Sequence, residues 1–384
     1  MTTSNDILVL AGLSVRAMAE MARNEGFLPV AFDLFGDRDT LAVSAWRRIG
    51  REGVLAIDRS ALLLALSAVA RERKPIGWIA GSGFEAQPGL LAEAANLLPL
   101  IGNPPALSDK VRTPDYFYPL LTELGISHAE TRLLPPSDLD GWLVKNARAC
   151  GGWHVREAAS ASAEGDAGRY FQRHLEGEPM SVLFIADGRR FVRVGVARLR
   201  VGSVAGRRWV FRGAVAAGVP GEELAGVLDR AIGRLVSTLG LCGLNGIDFI
   251  FNDDGPHVIE LNPRPTASIS LFRDALAGGL LRAHLAASSG LLPVLRDSTV
   301  GPPPFRGFEV VFARRAVLMD ATLADWIAGC GWCADQPAAG AALARHDPVC
   351  TIVAEAASRD EVEGLLAQRR DTLLARLDAC AGSA

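Results

Sequence analysis

The feature that most constrains this chain is the order of its first 107 residues, where short apolar runs alternate with helical patterns. Ile7-Leu8-Val9-Leu10-Ala11-Gly12 reads as a buried strand closing at glycine, and helical spacing follows over residues 14–23. Residues 29–33 read as the next strand, with a helix around 40–48 and a longer one around 60–71. A strand at 76–80 then ends in Gly81-Ser82-Gly83. Strands separated by helices line up in parallel and need helices on both faces. Only Gly12 follows the first strand, so the G-x-G-x-x-G dinucleotide fingerprint is absent.

Beyond residue 107 the pattern changes. Helical spacing at 114–124 stops at Gly125, and the strand Trp142-Leu143-Val144-Lys145 meets a turn containing Gly151-Gly152. Residues 158–168 are rich in Ala, Ser, Gly and acids and read as a closing loop. A largely β region starts at Tyr170-Phe171-Gln172 and continues with strands at 180–186, 191–199 and 209–214. A helix is expected over Glu222–Leu239, with Gly240 as its stop. Strands at 245–252 and 257–261 flank Asp253-Asp254-Gly255, a hairpin turn. Pro302-Pro303-Pro304 marks a boundary, followed by strands at 308–312 and 350–354 and a charged helix from Ser358.

Charge and composition exclude several classes. Net charge is -3, so there is no basic field for nucleic acid or an anionic membrane. The charge-free apolar stretch from Ser60 to Ala70 is too short to span a bilayer, and Asp6, Arg16 and Glu20 interrupt any leader-like apolar run. A soluble cytoplasmic protein is the expectation. Six cysteines make no disulfide framework, and Cys330-Gly331-Trp332-Cys333 lacks a second ligand pair for zinc, so it reads as reduced thiols.

Of 40 basic residues only three are lysine, Lys74, Lys110 and Lys145. A compact ammonium on a flexible stem reaches a phosphate oxygen as a point charge, unlike a planar guanidinium. Lys145, before a glycine turn, and Lys110, in Leu107-Ser108-Asp109-Lys110, are therefore candidate phosphate contacts. Gly151 and Gly152 would add backbone N–H groups. On the hairpin, Glu260 and Asn262 share one face and Asp248 opposes them on the neighbouring strand. Two carboxylates and an amide oxygen suit Mg²⁺, which keeps water and phosphate oxygens as its other ligands. The polar segment from Gln172 to Val182, with His174 and Glu178, could offer its backbone to an adenine edge and a carboxylate to ribose.

Leu-x-Asp-Lys before a helix, Val-Lys then Gly-Gly, a linker with Gly-Glu, and Asp…Glu-x-Asn-x-Arg together resemble the ATP-grasp superfamily. The pattern is similar to the predicted ATP-dependent carboligases related to biotin carboxylase, over about residues 5–355. The resemblance implies an α/β and α+β fold. A preATP-grasp parallel-sheet domain (1–107) would precede a two-lobed ATP-grasp domain (108–300), with a small ATP lobe at about 110–170 and a catalytic β lobe at about 171–300. A small carboxy-terminal α+β extension (301–384) would pack on the catalytic lobe.

By the same resemblance, ATP and Mg²⁺ (or Mn²⁺) are the cofactors. Lys110, Lys145, Gly151 and Gly152 match the phosphate contacts, Gln172 and His174 the adenine linker, and Glu178 the ribose position. Asp248, Glu260 and Asn262 match the metal ligands, Arg264 matches the substrate-side arginine, and Lys145 and Arg264 are the catalytic candidates. The stretch from His346 to Thr351 looks like the strand that returns to the site. Two positions depart from the pattern. Ser268 stands where biotin carboxylases carry a base, and Gly246 where peptide ligases often carry an arginine, so Arg264, Arg193 or Arg212 would stabilise the oxyanion.

The implied activity is an ADP-forming carboxylate–amine ligase acting through an acyl phosphate on small-molecule carboxylate and amine substrates. Relatives point to cofactor biosynthesis, such as glutamyl or amine ligation of a one-carbon carrier. An ATP-dependent carboxylase, a phosphotransferase on the same fold and a non-catalytic nucleotide sensor are the alternatives. A homodimer, common in the superfamily, stays open.

Overall fold

A computed structural model describes residues 6–51, 53–160, 168–294 and 304–380. Four parallel strands form the amino-terminal sheet, in the order Ala45–Arg48, Leu28–Asp33, Ile7–Ala11, Gly77–Ala80. Successive side chains of the central strand serve opposite faces. Leu8 and Leu10 pack with the helix Arg16–Asn24, and Val9 and Ala11 pack under the helix Arg59–Arg73. The sheet is thus covered on both faces, as the alternation requires.

The helix expected over 40–48 is a correction. It spans only Arg38–Val43, Ser44 is extended, and Ala45–Arg48 becomes the edge strand. Pairing with Leu28–Asp33 and a 2.7 Å hydrogen bond from Trp46 Nε1 to Asp33 Oδ1 outweigh the local helical pattern.

A small four-stranded sheet, Thr131–Arg132, Arg169–Arg173, Trp142–Asn146 and Arg156–Glu157, forms one lobe. The other lobe is an eight-stranded antiparallel sheet in the order Gly255–Asn262, Cys242–Asn252, Glu178–Asp187, Phe191–Val204, Arg207–Gly218, Phe305–Phe312, Pro348–Ala356, Cys333–Ala334. Three strands beyond residue 304 therefore belong to the same sheet as the hairpin, while Val317–Leu318 and Ala342–Leu343 pair separately. The helix Glu222–Leu239 ends at Gly240 with φ 66°, the left-handed stop its glycine permits. The helix Leu280–Ser288 lies between the two large sheets, in one apolar cluster with Leu8, Leu10, Leu183, Ile185 and Leu244. That shared core seats the amino-terminal domain against the hairpin strands.

Cys330, Cys333 and Cys350 are free thiols. Among the described residues no helix is long and apolar enough to cross a membrane. The loop expected over 158–168 falls mostly on residues 161–167, outside the described residues.

Candidate active site

A cavity of about 630 Å³ lies between the small sheet and the large one. Its floor is the hairpin. Asp248 and Glu260 are direct register partners, and Gly246 faces Asn262. Asn262 Nδ2 donates to Asp248 Oδ2 at 3.2 Å, and the Ser181 hydroxyl donates to Asp248 from the next strand. Burial first, and the nearby Glu260 second, push the Asp248 carboxyl up to about 7. Two carboxylates this close, one of them buried, carry such a cost, and an added divalent cation lowers it. Among the described residues no three His, Cys, Asp or Glu side chains form a metal cage. The pair and the Asn262 amide would therefore complete a cation shell with water and phosphate oxygens, a donor set suited to Mg²⁺.

The opposite wall carries Lys145. Its ammonium donates to Gln172 Oε1 at 2.6 Å, and burial lowers it to about 8 against the pull of Glu260 and Asp248. Gln172 is fully used. Its Nε2 donates to Tyr118 OH at 2.9 Å and Thr131 Oγ1 at 3.1 Å, and Tyr118 OH donates to the Ile259 carbonyl at 2.9 Å. The Gln172 side chain thus fixes the lysine. His174 lines the cavity and meets Trp209 edge to face, with ring centroids 6.0 Å apart.

Gly151 and Gly152 both have positive φ, +69° and +77°. A Cβ on Gly152 would overlap the Trp209 carbonyl, and Gly151 O accepts from Phe211 N at 3.0 Å. The turn therefore lies flat on the strand Arg207–Gly218, which only glycine allows. His154 follows it, with Nδ1 buried and without a partner, and burial lowers its ring to about 4. An unpartnered polar atom lining a cleft is what a polar ligand would satisfy.

Two expected residues are elsewhere. Lys110 is exposed, its Nζ 4.2 Å from the centre of the Tyr116 ring, and it does not line the cavity. Glu178 pairs with Arg198 at 2.7 Å and is likewise outside the lining. Arg193 and Arg212 are engaged by Asp229 and Glu309 and do not reach the cavity. Thr351, from the returning strand, lines a different cavity of about 760 Å³.

Arg264 reaches the cavity wall, but its Nε donates to Glu85 Oε1 at 2.8 Å and its side chain also bonds Asn262 Oδ1 at 3.2 Å. Burial would raise the Glu85 carboxyl, yet Arg264 and then Arg112 hold it down at about 2. Glu85 was not read from the sequence, although it sits two residues past Gly81-Ser82-Gly83. Arg112 was also missed, two residues past Lys110. Its guanidinium pairs with Glu260 and donates to the carbonyls of Ala147 and Ala149, tying the hairpin to the glycine turn.

Residues 106–268 match the family model described as ATP-grasp domain. An uncharacterized protein of Methanocaldococcus jannaschii is 22% identical over 188 residues, 48% of this chain. That match spans only 42% of the relative's length. The L-amino acid ligase of Bacillus licheniformis superposes with a TM-score of 0.70 at 15% identity, covering 96% of this chain and 98% of the ligase. The biotin carboxylase domain of Hydrogenobacter thermophilus 2-oxoglutarate carboxylase, solved with MgADP and bicarbonate, gives a TM-score of 0.66 at 11% identity. It covers 92% of this chain and 86% of that one. The chain thus carries an ATP-grasp domain at residues 106–268, within a fold that it shares with an amino-acid ligase and a biotin carboxylase domain over nearly its whole length.

Proposed function

We propose that this protein is an ATP- and Mg²⁺-dependent carboxylate–amine ligase that forms an acyl phosphate and releases ADP. One observation carries the reading. Asp248 and Glu260 face each other across the hairpin beside Asn262, and both line a 630 Å³ cleft whose other wall holds the Lys145 ammonium. That is the arrangement for holding a polyphosphate between a cation shell and a fixed lysine. The MgADP held by the carboxylase domain supports it. Mg²⁺, held by Asp248, Glu260 and Asn262, would neutralise charge on phosphate oxygens.

The chain's own groups do the rest. Lys145, held by Gln172, meets the phosphate oxygens, and the backbone N–H groups of Gly151 and Gly152 close over them. A substrate carboxylate oxygen attacks the γ-phosphorus, the bond to the β–γ bridging oxygen breaks, and ADP leaves. The amine nitrogen then attacks the acyl carbon, loses a proton, and phosphate departs. Ser268, where a carboxylase would carry a base, is buried and shares a 2.8 Å hydrogen bond with Thr266 Oγ1, which supports amide formation over bicarbonate activation.

The test is ADP release with hydroxylamine as the trapping amine, over a panel of amino acids and short-chain acids. Hydroxamate formed together with ADP supports the ligase. ADP release that depends on bicarbonate alone, or Mg·ATP binding without turnover on any acid, rejects it.

A further inference from the structure

Arg112 and Arg264 both line the wall of the cleft, and they differ in what holds them. Arg264 is gripped by Glu85, whose side chain is only 7% exposed and which stays ionised far below neutral pH. Arg112 adds a second, weaker electrostatic pull on Glu85. Arg112 is gripped by Glu260, whose side chain is 37% exposed and lines the cleft. Glu260 is also one of the two carboxylates that a divalent cation would take.

A carboxylate facing a cation cannot serve an arginine equally well, because each positive charge weakens the hold of the other. The Ala147 and Ala149 carbonyls bond Arg112 independently of Glu260, at 3.2 Å and 2.7 Å, so the guanidinium keeps its place when the carboxylate turns away. That place is a partition. Arg112, Ala147, Asn262 and Arg264 line both the large cleft and a second cavity of about 330 Å³. The second cavity is mostly apolar, with Phe84, Leu91, Leu100 and Ile101 in its wall beside Glu85, which Arg264 holds, and Asp109. A freed guanidinium there faces both a phosphate cleft and a compact apolar chamber.

We infer that Arg112 is a tethered counter-ion that holds Glu260 in the metal-free protein and, once a divalent cation takes Glu260, binds the carboxylate of an acid with a compact apolar body seated in the smaller cavity. The assignment of the carboxylate rests on the proposed ligase reaction; the exchange between arginine and cation does not. It also supplies the oxyanion-binding guanidinium that Gly246 cannot provide. Arg264, neutralised by Glu85, becomes a positioning residue that links the amino-terminal domain to Asn262.

Mn²⁺ titration of the nucleotide-free protein, followed by loss of the free-ion electron paramagnetic resonance signal, tests the exchange without turnover. Arg112→Gln keeps donors for the two carbonyls but carries no charge, and it should bind Mn²⁺ roughly tenfold more tightly than the wild type. Arg112→Met is the second uncharged variant should the first not fold, and Arg112→Lys should stay near the wild type. In the hydroxylamine assay, Arg112→Gln should raise KM for the best apolar acid at least about tenfold with kcat changed much less.

Unchanged or weaker Mn²⁺ binding in the uncharged variants overturns the counter-ion. Hydroxamate formed from glutamate or aspartate but from no apolar acid overturns the carboxylate assignment while the ligase stands. Tighter Mn²⁺ binding with no hydroxamate from any acid retains the exchange and removes the ligase, and the carboxylate role goes with it.

Discussion

Two groups of buried charge tie the amino-terminal domain to the rest of the chain, and they are built on different plans. At the carboxy-terminal junction, Arg16 donates to Asp335 at 2.9 Å and Glu20 at 2.8 Å, and Asp39 lies 3.7 Å away. The Asp39 oxygens are filled in turn by the backbone N–H groups of Asp335, at 2.8 Å, and Gln336, at 3.1 Å. At the cleft, Arg112 pairs with Glu260 and Arg264 with Glu85, while Asp248, bonded to Asn262, is pushed up to about 7. In the first group fixed backbone donors fill the Asp39 oxygens, although Arg16, Glu20 and Asp335 also line the 760 Å³ cavity. In the second, the carboxylates that line the cleft are partnered by side chains, which can exchange for a ligand. Burial of charge alone does not mark a functional site; what completes the hydrogen bonding does.

The sharpest way to break this contrast is Glu260→Gln. Turnover should fall by about a thousandfold or more, while the melting temperature stays within a few degrees because the side chain is partly exposed. Coupled ADP release and a thermal melt check both halves, and retained turnover removes Glu260 from the site. Arg16→Met is the mirror experiment. It strands several carboxylates and should cost about 3–5 kcal/mol in urea unfolding, with ATP affinity of the folded fraction unchanged.

Asp37 sharpens the comparison from within the junction. Burial, then Asp335, Asp33 and Asp39, push its carboxyl up to about 9. The folded pKa lies above the unfolded value, so this group's contribution to stability is complete below pH about 4 and is lost as pH rises through about 9. Asp37→Asn should therefore stabilise the protein at pH 8, on the order of 2–4 kcal/mol, and flatten the fall in stability between about pH 5 and 9. Equal pH profiles for the two proteins would refute the shift.

Gly152→Ala forces a Cβ into the Trp209 carbonyl at positive φ and should cost about 1–3 kcal/mol, with weaker nucleotide binding by calorimetry. Smallest of all, Lys110→Met should change stability by less than about 0.5 kcal/mol and leave nucleotide affinity within about twofold, since its ammonium lies over Tyr116 outside the cleft. A large loss of affinity would restore Lys110 to the phosphate site.

What was legible in the sequence is local. The alternation of residues 7–80 announces a parallel sheet, and Asp253-Asp254-Gly255 announces the hairpin that pairs Asp248 with Glu260. The helix Glu222–Leu239 is bounded by glycines that can be read directly. The edge strand Ala45–Arg48 was not legible, because its conformation comes from pairing with a strand already in place. Nor were the partners of the two arginines. Arg112 meets Glu260 across 148 positions, and Arg264 meets Glu85 across 179. In a chain where all but three basic residues are arginine, nothing local singles out either one.

The sequence by itself determined most of the central strands, that two carboxylates and an amide share one hairpin, and that Lys145 precedes a glycine turn. Periodicity and turn chemistry are properties of neighbouring residues, so they survive without the fold. Only the tertiary structure decided that Gln172 holds Lys145, that Lys110 turns outward, that Arg264 is neutralised and that Arg112 pairs with Glu260. Those outcomes depend on which charges are buried together, and a one-dimensional pattern carries no record of distance between domains.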